Sequence, residues 1–297
     1  MMNQPYTEQD ALLRMTICGG EARVLLMRTT ALSQKAGDLH NASDTAIAAM
    51  SRLMTGTAML GVMMKEKDAN VTVIVDGGGV GGRMTCVAHG GNVKISVTNP
   101  HAELPPRADG QPDVPGFVGK DGTLTVVRDY GVGEPYVGKI NLISGGLGED
   151  FAAYYMNSEQ TPSIVSLGSI VHQGTVISAG GILVQAMPDC SDKTLDMLDM
   201  RAMLFSGISR DLFEDSLDDL ADRWFKDMDM VKLSREPLSY RCDCSRERCE
   251  RMLISLGKKQ LQLINEDHQA ELTCHFCHKK HTFTEEELKK LLNSSLQ

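Results

Sequence analysis

The sequence predicts an α+β chain in three parts. An antiparallel, β-rich N-terminal domain covers residues 1–188, a helical linker covers 189–238, and a small four-cysteine C-terminal domain covers 239–297. Three observations predict this order. Short alternating strands separated by glycine turns run onward from Asn70, acidic amphipathic patterns begin after Pro188, and two close cysteine pairs lie near the C-terminus. At 297 residues and 42% hydrophobic, the chain can bury one large core and a smaller one.

Taken in order, residues 7–66 are mixed. TICGGEARVLLMRTT alternates like a strand around Arg23 to Arg28, and DTAIAAMSRLMTGTAMLGVMM has the length and apolar density of a largely buried helix. VTVIVD, RMTCVAHG and NVKISVTN then form a three-strand meander with glycine turns. A Pro/Gly-rich loop from Pro100 to Gly119 leads to two further strand patterns, LTVVRDYG and YVGKINLIS. GEDFAAYYMNSEQTP reads as a helix stopped by Pro162, and SIVSLGSIV and GGILVQAMP return to strand.

Pro188 marks a change of texture. Residues 191–233 read as helical, acidic on one face and apolar on the other, with Leu195, Leu198, Met203, Leu204, Trp224 and Phe225 among the apolar positions. Met197, Met200, Met228 and Met230 add soft, adaptable surface.

Gly77, Gly79 and Gly82 match GxGxxG directly after a strand. A dinucleotide loop needs a helix next, to set its N-terminus against the pyrophosphate, and here RMTCVAH alternates like another strand. The glycines read as a hairpin connection. No GxxxxGK[ST] loop is present either, so no ATP site is expected. His40, His89, His101 and His172 are scattered singly and read as surface or satisfied core residues. No triad or paired-carboxylate spacing points to an enzyme.

Net charge is −9, and residues 189–240 carry 7 basic against 13 acidic side chains, whereas residues 241–297 carry 10 against 9. No segment has the basic excess that backbone-driven nucleic-acid binding requires. The opening MMNQPYTEQDALLRM lacks a basic stretch followed by an apolar block, and no apolar run approaches a membrane span. A soluble, cytoplasmic protein without nucleic-acid or membrane partners is expected.

Eight cysteines in a reducing compartment should stay free, yet five of them crowd between Cys242 and Cys277. Cys18, Cys86 and Cys190 read as small buried or half-buried residues. Cys242 and Cys244 form one close pair, Cys274 and Cys277 another. Two pairs of thiolates suit tetrahedral zinc, each supplying one edge while the chain between them folds back. A set of three cysteines and one histidine, drawn from His275, His278 or His281, stays open. Cys249 lies on a helix pattern capped by Ser245 and reads as a bystander. Thr284 and Glu287 form a capping box for a last helix, EEELKKLL.

Such a site can be an inert staple or a redox switch. Three features favour the switch. A tetrathiolate zinc centre keeps nucleophilic sulfurs that peroxide or hypochlorite can oxidise. Each pair is placed to close on its neighbour, and the CxC ring is small enough to be easily reduced again. The module also adjoins a Met-rich helical connector.

CxC and CxxC at this spacing, the run CDCSRERC, and GEDFAAYYMNSEQTPS followed by GGILVQAMP together resemble the 33 kDa chaperonin family along essentially the whole chain. The resemblance implies an ATP-independent holdase that is inactive with zinc on Cys242, Cys244, Cys274 and Cys277. It implies activation by Cys242–Cys244 and Cys274–Cys277 disulfides that expel the metal. Opening of the connector, binding of unfolding client proteins and pairing of two oxidised protomers would follow.

Overall fold

The structure, a computed structural model, describes residues 8–255 and 269–294. The opening MMNQPYT, and Leu256 and Gly257 at the end of the helix pattern after Ser245, lie outside the described residues. The chain divides into two compact units, Met1–Arg241 and Cys242–Gln297.

In chain order the strands of the first unit are β1 (Ala11–Ile17), β2 (Ala22–Arg28), β3 (Asn70–Asp76), β4 (Met84–His89), β5 (Asn92–Val97), β6 (Thr123–Asp129), β7 (Tyr136–Asn141), β8 (Ser163–His172), β9 (Thr175–Ala186), β10 (Val231–Pro237) and β11 (Ser239–Tyr240). Its helices are α1 (Thr30–His40), α2 (Asp44–Gly61), α3 (Val114–Val118), α4 (Gly148–Glu159), α5 (Asp192–Arg201), α6 (Ile208–Glu214) and α7 (Leu217–Phe225). One sheet has the order β10-β1-β2-β9-β8 and the other β11-β5-β4-β3-β6-β7. Every pair is antiparallel except β11 on β5. The α+β class expected from the sequence is the observed one. No helix among the described residues is long and apolar enough to cross a membrane.

α2 explains its own composition. Sixteen of its 18 residues are buried, because it packs on β8 and β9 of one sheet and on β3, β4 and β5 of the other. A helix sandwiched this way is apolar all round rather than striped. Ser43 caps it, accepting from the Ala46 N–H at 3.2 Å. Gly56 is needed for fit, since a Cβ there would lie 2.3 Å from the Phe151 ring of α4.

The GxGxxG segment is the turn between β3 and β4, which pair antiparallel. A Cβ on Gly77 would sit 2.4 Å from the Val118 carbonyl oxygen, and one on Gly79 equally close to that of Phe117. Close approach of two backbones, not a phosphate, sets the glycine spacing.

The connector differs from expectation at its end. Helical pattern runs through α7, but residues 231–233 belong to β10, an edge strand on β1. Met203 and Leu204, taken as part of the apolar stripe, are exposed, and Met228 is buried. Leu195 is half-buried, while Leu198, Leu212, Leu220, Trp224 and Phe225 are buried with Phe205. It covers Leu13, Met15, Val24, Leu26, Ile182 and Val184 on the outer face of the first sheet. Ser191 and Ser216 cap α5 and α7. The first unit continues through Arg241 because the chain there is bonded to the body, the Leu238 N–H to the Asp10 carbonyl at 3.1 Å and the Arg241 N–H to the Val93 carbonyl at 2.9 Å.

Candidate metal centre and the covered sheet face

The second unit contains α8 (Arg246–Ser255), β12 (Gln269–Thr273), β13 (Lys280–Thr284) and α9 (Glu285–Ser294). β12 and β13 form an antiparallel hairpin, with Leu272 opposite His281. Its turn carries Cys274 and Cys277. The Cys274 N–H donates to the Lys279 carbonyl at 3.0 Å and the His278 N–H to the Cys274 carbonyl at 2.8 Å, with His278 in the left-handed region at φ 56. That tight turn points two thiols the same way. Cys242 and Cys244 precede α8, whose first turn is capped by Ser245, which accepts from the Arg248 N–H at 3.3 Å.

All four sulfurs lie within 4.8 Å of one another. Cys242 Sγ is 3.6 Å from Cys274 Sγ, and Cys244 Sγ is 3.3 Å from Cys277 Sγ. A tetrahedron with metal–sulfur bonds of about 2.3 Å has edges of about 3.8 Å. These two edges are a little shorter than that, and with every other pair within 4.8 Å the four sulfurs come close to the corners of such a cage. These four cysteines can hold a metal ion.

The electrostatics suit a cation. Burial raises Cys242 to about 11, opposed by the Cys244 N–H and reinforced by the neighbouring thiols. Burial, then the thiols of Cys277, Cys242 and Cys274, push Cys244 up as well. Burial also works to raise Cys274, but the N–H groups of Phe276 and Cys277 and the thiols of Cys242 and Cys277 outweigh it, and its pKa falls below the ordinary thiol value. Crowded thiols resist successive ionisation, and a divalent cation removes that resistance by neutralising the thiolates it binds.

Among the described residues, no histidine joins the four-sulfur group. His281 is buried on β13, and His275 and His278 flank the turn. Cys249 lies away from the cage, in an apolar cluster with Leu253, Phe283 and Leu288. With Ala270, Leu272 and Leu291 packed against it, this is a very small core among the described residues. Arg246, which no sequence pattern singles out, ties the unit together. It stacks on the Phe283 ring at 4.4 Å, donates to the Thr282 carbonyl at 2.9 Å and pairs with Glu287 at 2.6 Å. The Thr284 capping box forms as expected, with the Thr284 N–H on Glu287 Oε2 at 2.9 Å.

The other cysteines, His40 and His101 sit in structural settings, while His89 and His172 are exposed. Cys86 is buried, and burial pushes its thiol up to about 12. Cys18 and Cys190 are half-buried. His40 is buried with Nε2 2.9 Å from the Ile95 carbonyl, and His101 bonds the Asn41 carbonyl at 2.8 Å.

The covered face of the first sheet is fastened by a buried cation. Arg28, 2% exposed, donates to the carbonyls of Leu212 at 2.5 Å and Asp215 at 2.7 Å, and pairs with Glu8 at 3.2 Å. Sequence reasoning missed it because an arginine at a strand end normally reads as solvated.

Known proteins share this fold. The Hsp33 protein family profile matches residues 10–284. The 33 kDa chaperonin of Clostridium acetobutylicum is 38% identical over 289 residues, spanning 95% of this chain and 97% of its own length. That of Alkaliphilus oremlandii is 39% identical over 293 residues, spanning 97% and 98%. The crystal structure of the 33 kDa chaperonin from Thermotoga maritima superposes with a TM-score of 0.88 at 30% identity, over 97% of this chain and 99% of that one. Fold and sequence agree along nearly the full length, and the chain belongs to the Hsp33 family.

Proposed function

We propose that this protein is a redox-regulated, ATP-independent holdase of the cytoplasm, inactive when reduced and zinc-bound. Residues 1–188 act as the body, 189–238 as a metastable linker and 239–297 as the switch. The observation that carries this reading is the four-thiol cage beside an apolar core that, among the described residues, is very small.

Cys242, Cys244, Cys274 and Cys277 would be the ligands. Zinc bound to four thiolates supplies ~10–16 kcal/mol, essentially all of such a module's folding free energy. Oxidation removes the ligands. Two thiolates of a pair and one hydrogen peroxide take up two protons and give one disulfide and two waters, the peroxide O–O bond being reduced. Two such steps, Cys242–Cys244 and Cys274–Cys277, consume two peroxides and four protons and free the metal ion. The module then unfolds and the connector opens. The apolar residues of α5 to α7, and the outer face they cover, become available to unfolding client proteins and for pairing of two oxidised protomers.

The test follows zinc release with a colorimetric chelator alongside aggregation of a thermally unfolding client, before and after peroxide at elevated temperature, then after dithiothreitol and zinc. Zinc leaving as client protection appears, with both reversing, is the expected result. Zinc that stays bound while the client is protected, or that leaves without any protection, reduces the cage to a staple.

A further inference from the structure

β10 is held on the first sheet in an unusual way. None of its seven side chains is buried, and Val231 and Leu233 are 53% and 55% exposed. What fastens it is backbone pairing to β1 plus a fringe of ions. Lys232 pairs with Asp218 at 2.7 Å and Asp222 at 2.9 Å, both on α7. Arg235 pairs with Asp218 at 2.7 Å and with Glu8, and Glu236 pairs with Arg14 at 3.2 Å. The register slips between Arg14 and Met15.

β1 is the opposite kind of strand. Leu12, Met15 and Ile17 are fully buried and Leu13 is 3% exposed. Leu12 faces the inner core, while Leu13, Met15 and Ile17 lie under the connector helices. Its outer edge, covered by β10, is therefore a backbone ladder bordered by apolar side chains, and it accepts a strand without reading that strand's side chains. Strand addition to a sheet edge is sequence-tolerant for this reason, since the main chain supplies the hydrogen bonds. The charges and terminal proline of β10, VKLSREP, are devices that keep an edge strand from recruiting others.

We infer that the edge of β1 is a client-binding surface, occupied in the inactive protein by β10 and in the active one by an extended apolar segment of an unfolding polypeptide. This rests on the reading above that the connector opens. When it opens, α7 departs with Asp218 and Asp222, which are the groups that select the basic residues of β10. Leu13, Met15 and Ile17 are uncovered at the same time. The vacated edge thus loses its preference for its own basic strand and gains one for an apolar guest.

Hydrogen exchange with mass spectrometry on the full chain tests this, reading residues 11–17 in reduced protein, in peroxide-activated protein, and in activated protein with reduced carboxymethylated α-lactalbumin. Client protection is measured on the same samples. Exchange in this segment should quicken by about tenfold or more on activation and slow again with the client. A fluorescent heptapeptide of alternating valine and threonine should compete with the client. Its counterpart N-methylated at every second residue should bind about tenfold more weakly, having lost edge hydrogen bonds. The double reversal Lys232→Glu, Arg235→Glu should give client binding in reduced protein that still holds its zinc. Client protection with residues 11–17 unchanged throughout, or exposed but never re-protected by the client, overturns the inference alone. Re-protection without client that scales with protein concentration overturns it in favour of a second copy. Absence of client protection after activation defeats the holdase reading itself, and this one with it.

Discussion

Arg28 reaches from the end of β2 to the Leu212 carbonyl across 2.5 Å, so a strand of the body and a helix of the connector share one buried guanidinium. Its third partner, Glu8, is itself only 15% exposed. Removing one member of such a set strands the others in low dielectric, which costs about 3–5 kcal/mol. Arg28→Met keeps most of the apolar stem and loses the guanidinium hydrogen bonds. The expected outcome is a connector that opens more easily, seen as a lower thermal midpoint in the fluorescence of Trp224, the only tryptophan, and as client protection at lower temperature. An unchanged midpoint would show that packing of Phe205, Trp224 and Phe225 alone holds the connector.

The cage should behave as the main support of the second unit. Cys242→Ser leaves three sulfurs and a poor zinc ligand. Chelator titration is expected to find less than one zinc per chain, and limited proteolysis to cut within residues 242–297 while the first unit persists. A variant that is zinc-free yet resistant to proteolysis would mean that Leu253, Phe283 and Leu288 suffice as a core.

Cys249 separates ligand from bystander. Buried with Leu253 and Phe283, it acts as a small hydrophobe. Cys249→Ala should destabilise the unit by roughly 1 kcal/mol through lost contacts, with zinc stoichiometry and the rate of peroxide-triggered release unchanged. Mass mapping of the oxidised chain should find Cys242–Cys244 and Cys274–Cys277. Bridges across the pairs, where the thiols already stand 3.6 and 3.3 Å apart, would overturn that pairing.

Local chemistry decided what could be read from the sequence. β3, β4 and β5 alternate because each has one face on α2 and one toward solvent, and α2 is apolar throughout because both sheets touch it. The cysteine pairs were legible because metal ligands must recur at short spacing. β10 was not legible. With no side chain buried it has no period, and only the edge of β1, more than 200 residues away in sequence, makes it a strand. α1 was missed for a related reason. Its start is fixed by Asp10, whose carboxylate accepts the N–H groups of Ala31 at 3.0 Å and Leu32 at 2.6 Å from twenty residues upstream.

That same Asp10 gives the fold a pH dependence of unusual sign. Burial raises its pKa from 3.8 to about 6, against the opposing pull of the Leu32 and Ala31 N–H groups and of Arg28. Between pH 4 and 6 the folded protein keeps a proton that the unfolded chain has released. Asp10 therefore favours folding most fully below about pH 4, and that contribution is lost as pH rises to 6 and stays lost above it. The full swing is on the order of 2–3 kcal/mol for a shift of this size. Asp10→Asn cannot ionise and can still accept one of the two N–H bonds. The expected result is that urea midpoints of the first unit, followed by Trp224, fall in the parent relative to the variant as pH rises from 4.5 to 6.5. Above pH 7 the gap should be constant. Parallel curves across the whole range would mean that the two N–H bonds and Arg28 hold the carboxylate ionised throughout, leaving Asp10 a plain helix cap.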